Sequence, residues 1–211
     1  MQGTGERTVR PATAADVKAL ATVMARAFYD DPPFGWILPN PATRLERSRR
    51  FFVTVSRGEG LARGGIDVAL VDNQIAGAAI WRPPGQLASG TGEALRVLAG
   101  LVHALGRRMG AAMALSTAMT RVHPREPHWY LFAIGVDPSR QGTGIASELL
   151  RPRLDHCDRT GLPAYLEASK PASVPLYQHF GFDPTGEMEL PAGAPPLTPM
   201  WRPPAVSPEA S

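Results

Sequence analysis

Three small residues, Gly142, Gly144 and Ala146, stand at alternate positions in VDPSRQGTGIASELLRPRLDHCDRTG (residues 136–161). Glycine frees a backbone to take positive φ and to come close to a ligand. Where a glycine-rich turn feeds a helix, unbonded N–H groups and the positive end of the dipole suit a phosphate. A tight turn with no ligand has the same needs, so this stretch alone leaves both readings open. Other residues can carry protons or charge. Tyr177, Glu167 and His128 each stand in or beside an apolar run, and phenol, carboxylate and imidazole are the usual acid–base groups. Their alternatives are a core tyrosine, an ion-paired strand acid and a structural histidine. Asp30 and Asp31 fall among the aromatics of FYDDPPFGWILPN (residues 28–40), with Trp36 close by and Trp81 closing a later strand. Carboxylates beside aromatic faces would hold an amine on an apolar body; turn chemistry with Pro32 is the alternative for the two aspartates.

The elements that position these groups follow from hydrophobic periodicity. Residues 8–10 read as a short strand, and Thr13 with Asp16 as a capping box. Val17, Leu20, Met24, Ala27 and Phe28 line one face of a helix, which the proline-rich segment 28–40 breaks. A second helix over about 42–57 carries Arg44, Arg47, Arg49 and Arg50, a set expected to face solvent. Residues 66–81 read as a hairpin turning at Asp72–Asn73. Residues 93–120 form one or two helices, broken near 106–110. The run 130–136 (YLFAIGV) is a strand, the glycine motif opens a helix, 163–169 is a strand, and SVPLYQHFGF a short helix. Residues 187–190 and 197–201 are expected to pair as closing strands, and 203–211 to be a disordered tail. Pro152 inside the helix should kink it, at a cost of about 3 kcal/mol. The order predicts an α+β fold, a mixed and mostly antiparallel sheet of about seven strands flanked by helices, with a helical insertion before the fourth strand.

The composition bounds the function. A chain of 211 residues, 44% hydrophobic and 19% charged, is a globular protein with room for a sizeable core. The lone Cys157 excludes an intrachain disulfide and a cysteine zinc cage, which fits a cytoplasmic protein. No leader-like N-terminus is present, and arginines and a histidine interrupt the most apolar stretch, 94–119, so no membrane span is expected. The net charge of +3 suits an anionic ligand, with no dense basic run for nucleic acid.

Three phosphate-binding designs compete for the glycines. A nucleotide P-loop needs Lys and Ser/Thr after its last glycine, whereas Ile145 and Ala146 follow here. A dinucleotide GxGxxG tolerates Ser147 and finds an acid in Glu167, but that motif normally opens its domain. The third design fits: Gln141-Gly142-Thr143-Gly144-Ile145-Ala146 resembles the Q/R-x-x-G-x-G/A acetyl-CoA loop of the GNAT family of N-acetyltransferases. PLYQHFGF resembles that family's second landmark, a tyrosine followed by Gly-Phe. The resemblance covers about residues 7–202, taken as one domain. It is nearest the branch containing puromycin N-acetyltransferase, through residues 125–152, YLEAS, PLYQHFGF and AFYDDPPFGWILP.

That resemblance implies direct acetyl transfer from acetyl-CoA to the primary amine of a small molecule, aromatic or antibiotic-like. It implies a pantetheine arm on the main chain of Ile134, Gly135 and Val136, and a pyrophosphate on the N–H groups from Gln141 to Ala146. A backbone N–H near Ile134 or Gly135 would polarise the thioester. Tyr177 matches the family's general acid, Glu167 is the expected base with His128 as its rival, and Asp30, Asp31, Trp36 and Trp81 would receive the amine. Where many relatives carry a coenzyme-contacting asparagine, this chain has Lys170 and Ser173. That departure leaves a second implication, a coenzyme-binding module without transfer. No nucleic acid or membrane partner is expected, and family members occur as monomers and homodimers.

Overall fold

The computed structural model describes residues 6–61, 64–85 and 91–205. Its strands are β1 (Arg7–Pro11), β2 (Ile66–Val71), β3 (Gln74–Arg82), β4 (Trp129–Val136), β5 (Ala164–Ala168), β6 (Asp183–Pro184) and β7 (Thr198–Arg202). They form a single sheet in the order β1-β2-β3-β4-β5-β7-β6. Every neighbouring pair is antiparallel except β4 with β5. This is the mixed, mostly antiparallel seven-stranded sheet expected from the sequence, with its helical insertion before the fourth strand. The β2–β3 turn is tight because Asp72 and Asn73 both take positive φ, 51° and 64°, the paired left-handed geometry that suits a two-residue hairpin.

Strand alternation sorts the core onto two faces of the sheet. On one face Val68, Ala78, Ile80 and Ala133 pack under α1 (Val17–Ala27) and α3 (Pro41–Val55), through Leu20, Met24 and Phe52. On the other, Ala69, Ala79 and Leu131 meet Leu149, Leu150 and Leu154 of α6 (Ile145–Thr160). Helix α6 continues through Pro152 to Thr160. Cys157 is fully buried here, its thiol pushed up to about 11 chiefly by burial. Arg202 ties this layer together: it donates two 2.7 Å bonds to the Asp158 carboxylate and one to the Phe180 carbonyl.

Three expectations change. Residues 28–40 are not simply a break, because Pro32–Ile37 form α2 with prolines in the first turn and Asp31 as N-cap; proline is favoured at a helix start, where its missing N–H costs nothing. Arg44 and Arg47 do not face solvent. Arg44 donates to the Tyr29, Leu38 and Pro39 carbonyls, and Arg47 to Ala104 and Leu105 at the end of α4 (Thr91–Leu105). They satisfy carbonyls that a helix end leaves unpaired. The partner of the closing strand is β6, through Asp183↔Trp201 and Pro184↔Met200, and residues 187–190 form no strand. Proline lacks an N–H and belongs on such an edge, and Gly186, at φ 142°, turns the chain away just beyond it. The expected tail falls mostly on residues 206–211, which lie outside the described residues.

Gly135 shows how tightly α1 is seated. A Cβ there would stand 2.9 Å from both Ala27 Cβ and Met24 Sδ. Gly135→Ala is therefore expected to cost about 1–3 kcal/mol in chemical denaturation; an unchanged midpoint would show that α1 can withdraw freely.

Candidate active site

The site begins where the sheet stops pairing. β4 and β5 run side by side through Trp129↔Ala164, Tyr130↔Tyr165 and Leu131↔Leu166, and no further. β5 stays with β7 as far as Ala168↔Thr198, while β4 stays with β3 through Ile134↔Ala79, Gly135↔Ala78 and Val136↔Gly77. Asp137 N–H donates to Ala76 on β3. By the alternation of an antiparallel ladder, Gly135 also faces β3, and the N–H and C=O groups of Ile134 and Val136 face the opened side. The Val136 carbonyl accepts from the Gln141 side chain at 3.2 Å.

The glycine motif lies at the end of this edge. Gly142 and Gly144 take φ 74° and 90°, and a Cβ at either would meet nothing within 4 Å. Space and left-handed backbone coincide, which is the cradle a phosphate needs above the first N–H groups of α6. Arg7 of β1 steadies the loop by donating to the Thr143 carbonyl at 2.8 Å and to Glu148 at 3.1 Å. Ile134, Gly135, Val136, Gln141, Ala146 and Ser173 border one cavity of about 810 Å³. The Ile145 side chain does not: it is 2% exposed in the α6 core, so only its main chain can serve a ligand.

Tyr177, on α7 (Val174–His179), borders the same cavity. Burial first, and Asp31 second, push its phenol up to about 12, so it stays protonated at any physiological pH. Asp31 is buried, and it accepts from Ser169 Oγ and from the Phe34 N–H at 3.3 Å. Burial raises its carboxyl above the usual range against those bonds and against Lys170. Glu167 is nearly closed off beneath His123, Tyr130 and Tyr165. His128 is buried, with its ring nitrogens 2.6 Å from the Glu126 carbonyl and 3.0 Å from His123 Nε2.

Opposite the open edge, Phe28, Phe34, Phe51, Phe52 and Phe132 form a continuous aromatic wall; Phe34 and Phe52 stack at 5.4 Å and 11°. Over it lie α4 and α5 (Met109–Val122), which contribute Leu101, Leu105, Met109, Met113 and Met119. Arg108, at the α4–α5 junction, donates to the Trp36 and Ile37 carbonyls at 2.8 and 3.2 Å.

Three expected acceptor residues are elsewhere. Asp30 is exposed and outside the cavity. Trp36 lies beneath the Arg108 guanidinium, 5.5 Å from ring centroid, also outside. Trp81 is 1% exposed on the α6 face, which it shares with Ala79 two residues before it, while Ile80 faces the other way. Arg82 is the residue that reaches the cavity, 4.4 Å over Phe132. His123 and Ser169 were missed: only the spacing of His123 from His128, and the hydroxyl following YLEA, carried any signal.

The profile of the Acetyltransferase (GNAT) family matches residues 25–182. The chain belongs to the GNAT family. It is 28% identical over 178 residues to an uncharacterised N-acetyltransferase of Schizosaccharomyces pombe, covering 80% of this chain and 71% of that one. A mycothiol acetyltransferase of Thermomonospora curvata is 39% identical over 66 residues, 30% of this chain and 22% of that protein. Among solved structures, a "histone acetyltransferase HPA2 and related acetyltransferase" from Corynebacterium glutamicum superposes with a TM-score of 0.74 at 31% identity, covering 96% and 98% of the two chains. A polyamine N-acetyltransferase of Drosophila melanogaster shares the fold, with a TM-score of 0.64 at 17% identity, covering 94% and 100%.

Within this acetyltransferase the two adjacent aspartates do different work. Asp31→Ala removes the α2 cap and is expected to lower stability by about 1–2 kcal/mol in urea denaturation. Asp30→Ala, at an exposed site, should stay within about 0.5 kcal/mol; equal losses would contradict the geometry.

Proposed function

We propose that this acetyltransferase moves an acetyl group from acetyl-CoA directly to the primary amine of a small molecule with an aromatic or hydrophobic body. One observation carries the reading: the open β4 edge, the Tyr177 phenol and an aromatic wall border a single cavity beneath α4 and α5. The residues fit the coenzyme. Ile134 offers its N–H and C=O, and Val136 its N–H, to an extended amide arm, and the Gly142–Gly144 cradle leads to the dipole of α6. Ser173 and Lys170 border the position where many relatives have asparagine, and supply a hydroxyl and a cation there.

When bound, acetyl-CoA supplies a thioester whose carbonyl carbon accepts a nucleophile. The Ile134 N–H, on the open side of β4, is the donor for the acyl oxygen as charge develops. The neutral Tyr177 phenol gives its proton to the leaving sulfur, since an ordinary thiol holds its own proton up to a pKa of about 8.5. A primary amine, with an ordinary pKa near 10, must lose a proton before attack. Glu167 is the acid nearest that task, and its burial makes it act through a neighbour. Cys157, deep beneath α6, takes no part. A reducing cytoplasm suits that single buried thiol, and among the described residues no helix is long and apolar enough to cross a membrane.

The aromatic wall favours a flat or greasy amine, and the α4–α5 roof disfavours a protein tail. Resemblance of residues 125–152 and 175–182 to the puromycin N-acetyltransferase branch supports an antibiotic-like acceptor. Mycothiol and polyamine acetyltransferases are also among the proteins this chain is similar to, so the acceptor assay should span amines of several shapes. The expected result is thiol release with acetyl-CoA and an aromatic or hydrophobic primary amine, faster than with any peptide. Tyr177→Phe should lower kcat about 10- to 1000-fold with little change in acetyl-CoA affinity. Coenzyme binding without turnover of any amine would leave a binding module in place of an enzyme.

A further inference from the structure

Two histidines stand behind Glu167, and their hydrogen bonds determine where each ring proton sits. His128 Nδ1 is 2.6 Å from the Glu126 carbonyl oxygen. A carbonyl only accepts, so Nδ1 carries the hydrogen. Burial lowers the pKa of His128, so its ring is neutral and Nε2 is a lone pair. That nitrogen is 3.0 Å from His123 Nε2, which must therefore donate. Nδ1 of a neutral His123 is then an acceptor, and it faces Glu167 Oε1 at 3.9 Å.

The carboxyl opposite has the Tyr130 and Tyr165 phenols on its other flank. The Glu167 side chain is 2% exposed, and Oε1 has no hydrogen-bond partner among the described residues. His123 Nδ1 and Glu167 Oε1 thus face each other as two acceptors, an arrangement that a proton arriving on His123 would satisfy. The His123 ring is held edge-on to Tyr130 and Tyr165, at centroid distances of 4.9 and 5.0 Å. His123 also borders the acceptor cavity, with 29% of its side chain exposed. The groups facing it are His128 from the segment before β4, Tyr130 from β4, and Tyr165 and Glu167 from β5, with Arg125 and Glu126 on the same cavity wall.

We infer that His123 Nδ1 takes the proton of the acceptor amine, directly or through one water, while Glu167 steadies the imidazolium and His128 fixes the tautomer. The assignment rests on the amine reading above. The ammonium form first gives one proton to solvent; the amine lone pair then forms the N–C bond and the C–S bond breaks with its electron pair going to sulfur. The amine proton goes to His123 and the Tyr177 proton to sulfur; solvent then takes the proton from His123 and returns one to Tyr177. His123 is the catalytic residue here, and Glu167 and His128 are positioning residues.

Nitrogen-15 NMR of the ligand-free wild-type protein near neutral pH tests the tautomers without turnover. His128 should carry its hydrogen on Nδ1 and His123 on Nε2; His123 found as the Nδ1–H form overturns the assignment. In an assay with acetyl-CoA and the best amine, His123→Asn should lose about 100-fold in kcat at unchanged acetyl-CoA KM, with part of the loss restored by added imidazole. Retained activity, or a loss that imidazole leaves untouched in a variant with a lowered melting temperature, overturns it. A wild type that turns over no amine defeats the functional reading itself, and this assignment with it.

Discussion

The divergence of β4 from β5 after Leu131 and Leu166 is the constraint around which the rest of this protein is arranged. A sheet interior is the last place where backbone N–H and C=O groups are left unpaired, because each orphan costs free energy comparable to a lost hydrogen bond. Here the two strands separate because each keeps a different partner. β5 follows β7 to its end, and β4 follows β3, bent by the register shift at Ile80 and Trp81. Helix α1 presses on Gly135 from the other side, which holds β4 in its course. The edge so exposed is a template for an extended ligand that brings its own amides.

Charge is concentrated around that opening. Asp31, Glu167 and His128 are buried or nearly so, His123 is partly exposed, and all four border one cavity. Buried ionisable groups are costly unless bonded, and the bonds here are partial: Asp31 has Ser169 and an amide, while Glu167 Oε1 has none. A fold gains nothing in stability from such a cluster, whereas a site that must remove one proton and deliver another needs groups with unequal appetites for it. Arginine supplies the mechanical counterpart. Arg47 and Arg108 bind carbonyls on opposite sides of the junction between the α4–α5 roof and the body, so the aromatic wall stays covered without direct roof-to-strand pairing.

Local chemistry was legible in the sequence and register was not. Gly142, Gly144 and the Asp72–Asn73 turn announced their left-handed backbone by residue type alone. Tyr177 and the main chain of β4 were located by motif. The acceptor side was misjudged where a single position decides a face: alternation along β3 sends Trp81 into the α6 core and Arg82 into the cavity. Asp30 and Asp31 look alike in sequence, yet only Asp31 sits at the start of a helix, and that helix hides behind two prolines. Arg44 and Arg47 carried the periodicity of a solvated face, but their targets are carbonyls distant in sequence, which no local pattern encodes. The His123–His128 contact depends on how the short loop before β4 folds, and only the five-residue spacing hinted at it.

Amide hydrogen exchange at the divergence tests this account most directly. In the free protein, the N–H groups of Ile134 and Val136 should exchange faster than that of Gly135, which faces β3. Coenzyme A should slow Ile134 and Val136 selectively, as its pantetheine amides complete the strand edge. Binding of coenzyme A with no added protection at either position would contradict the account.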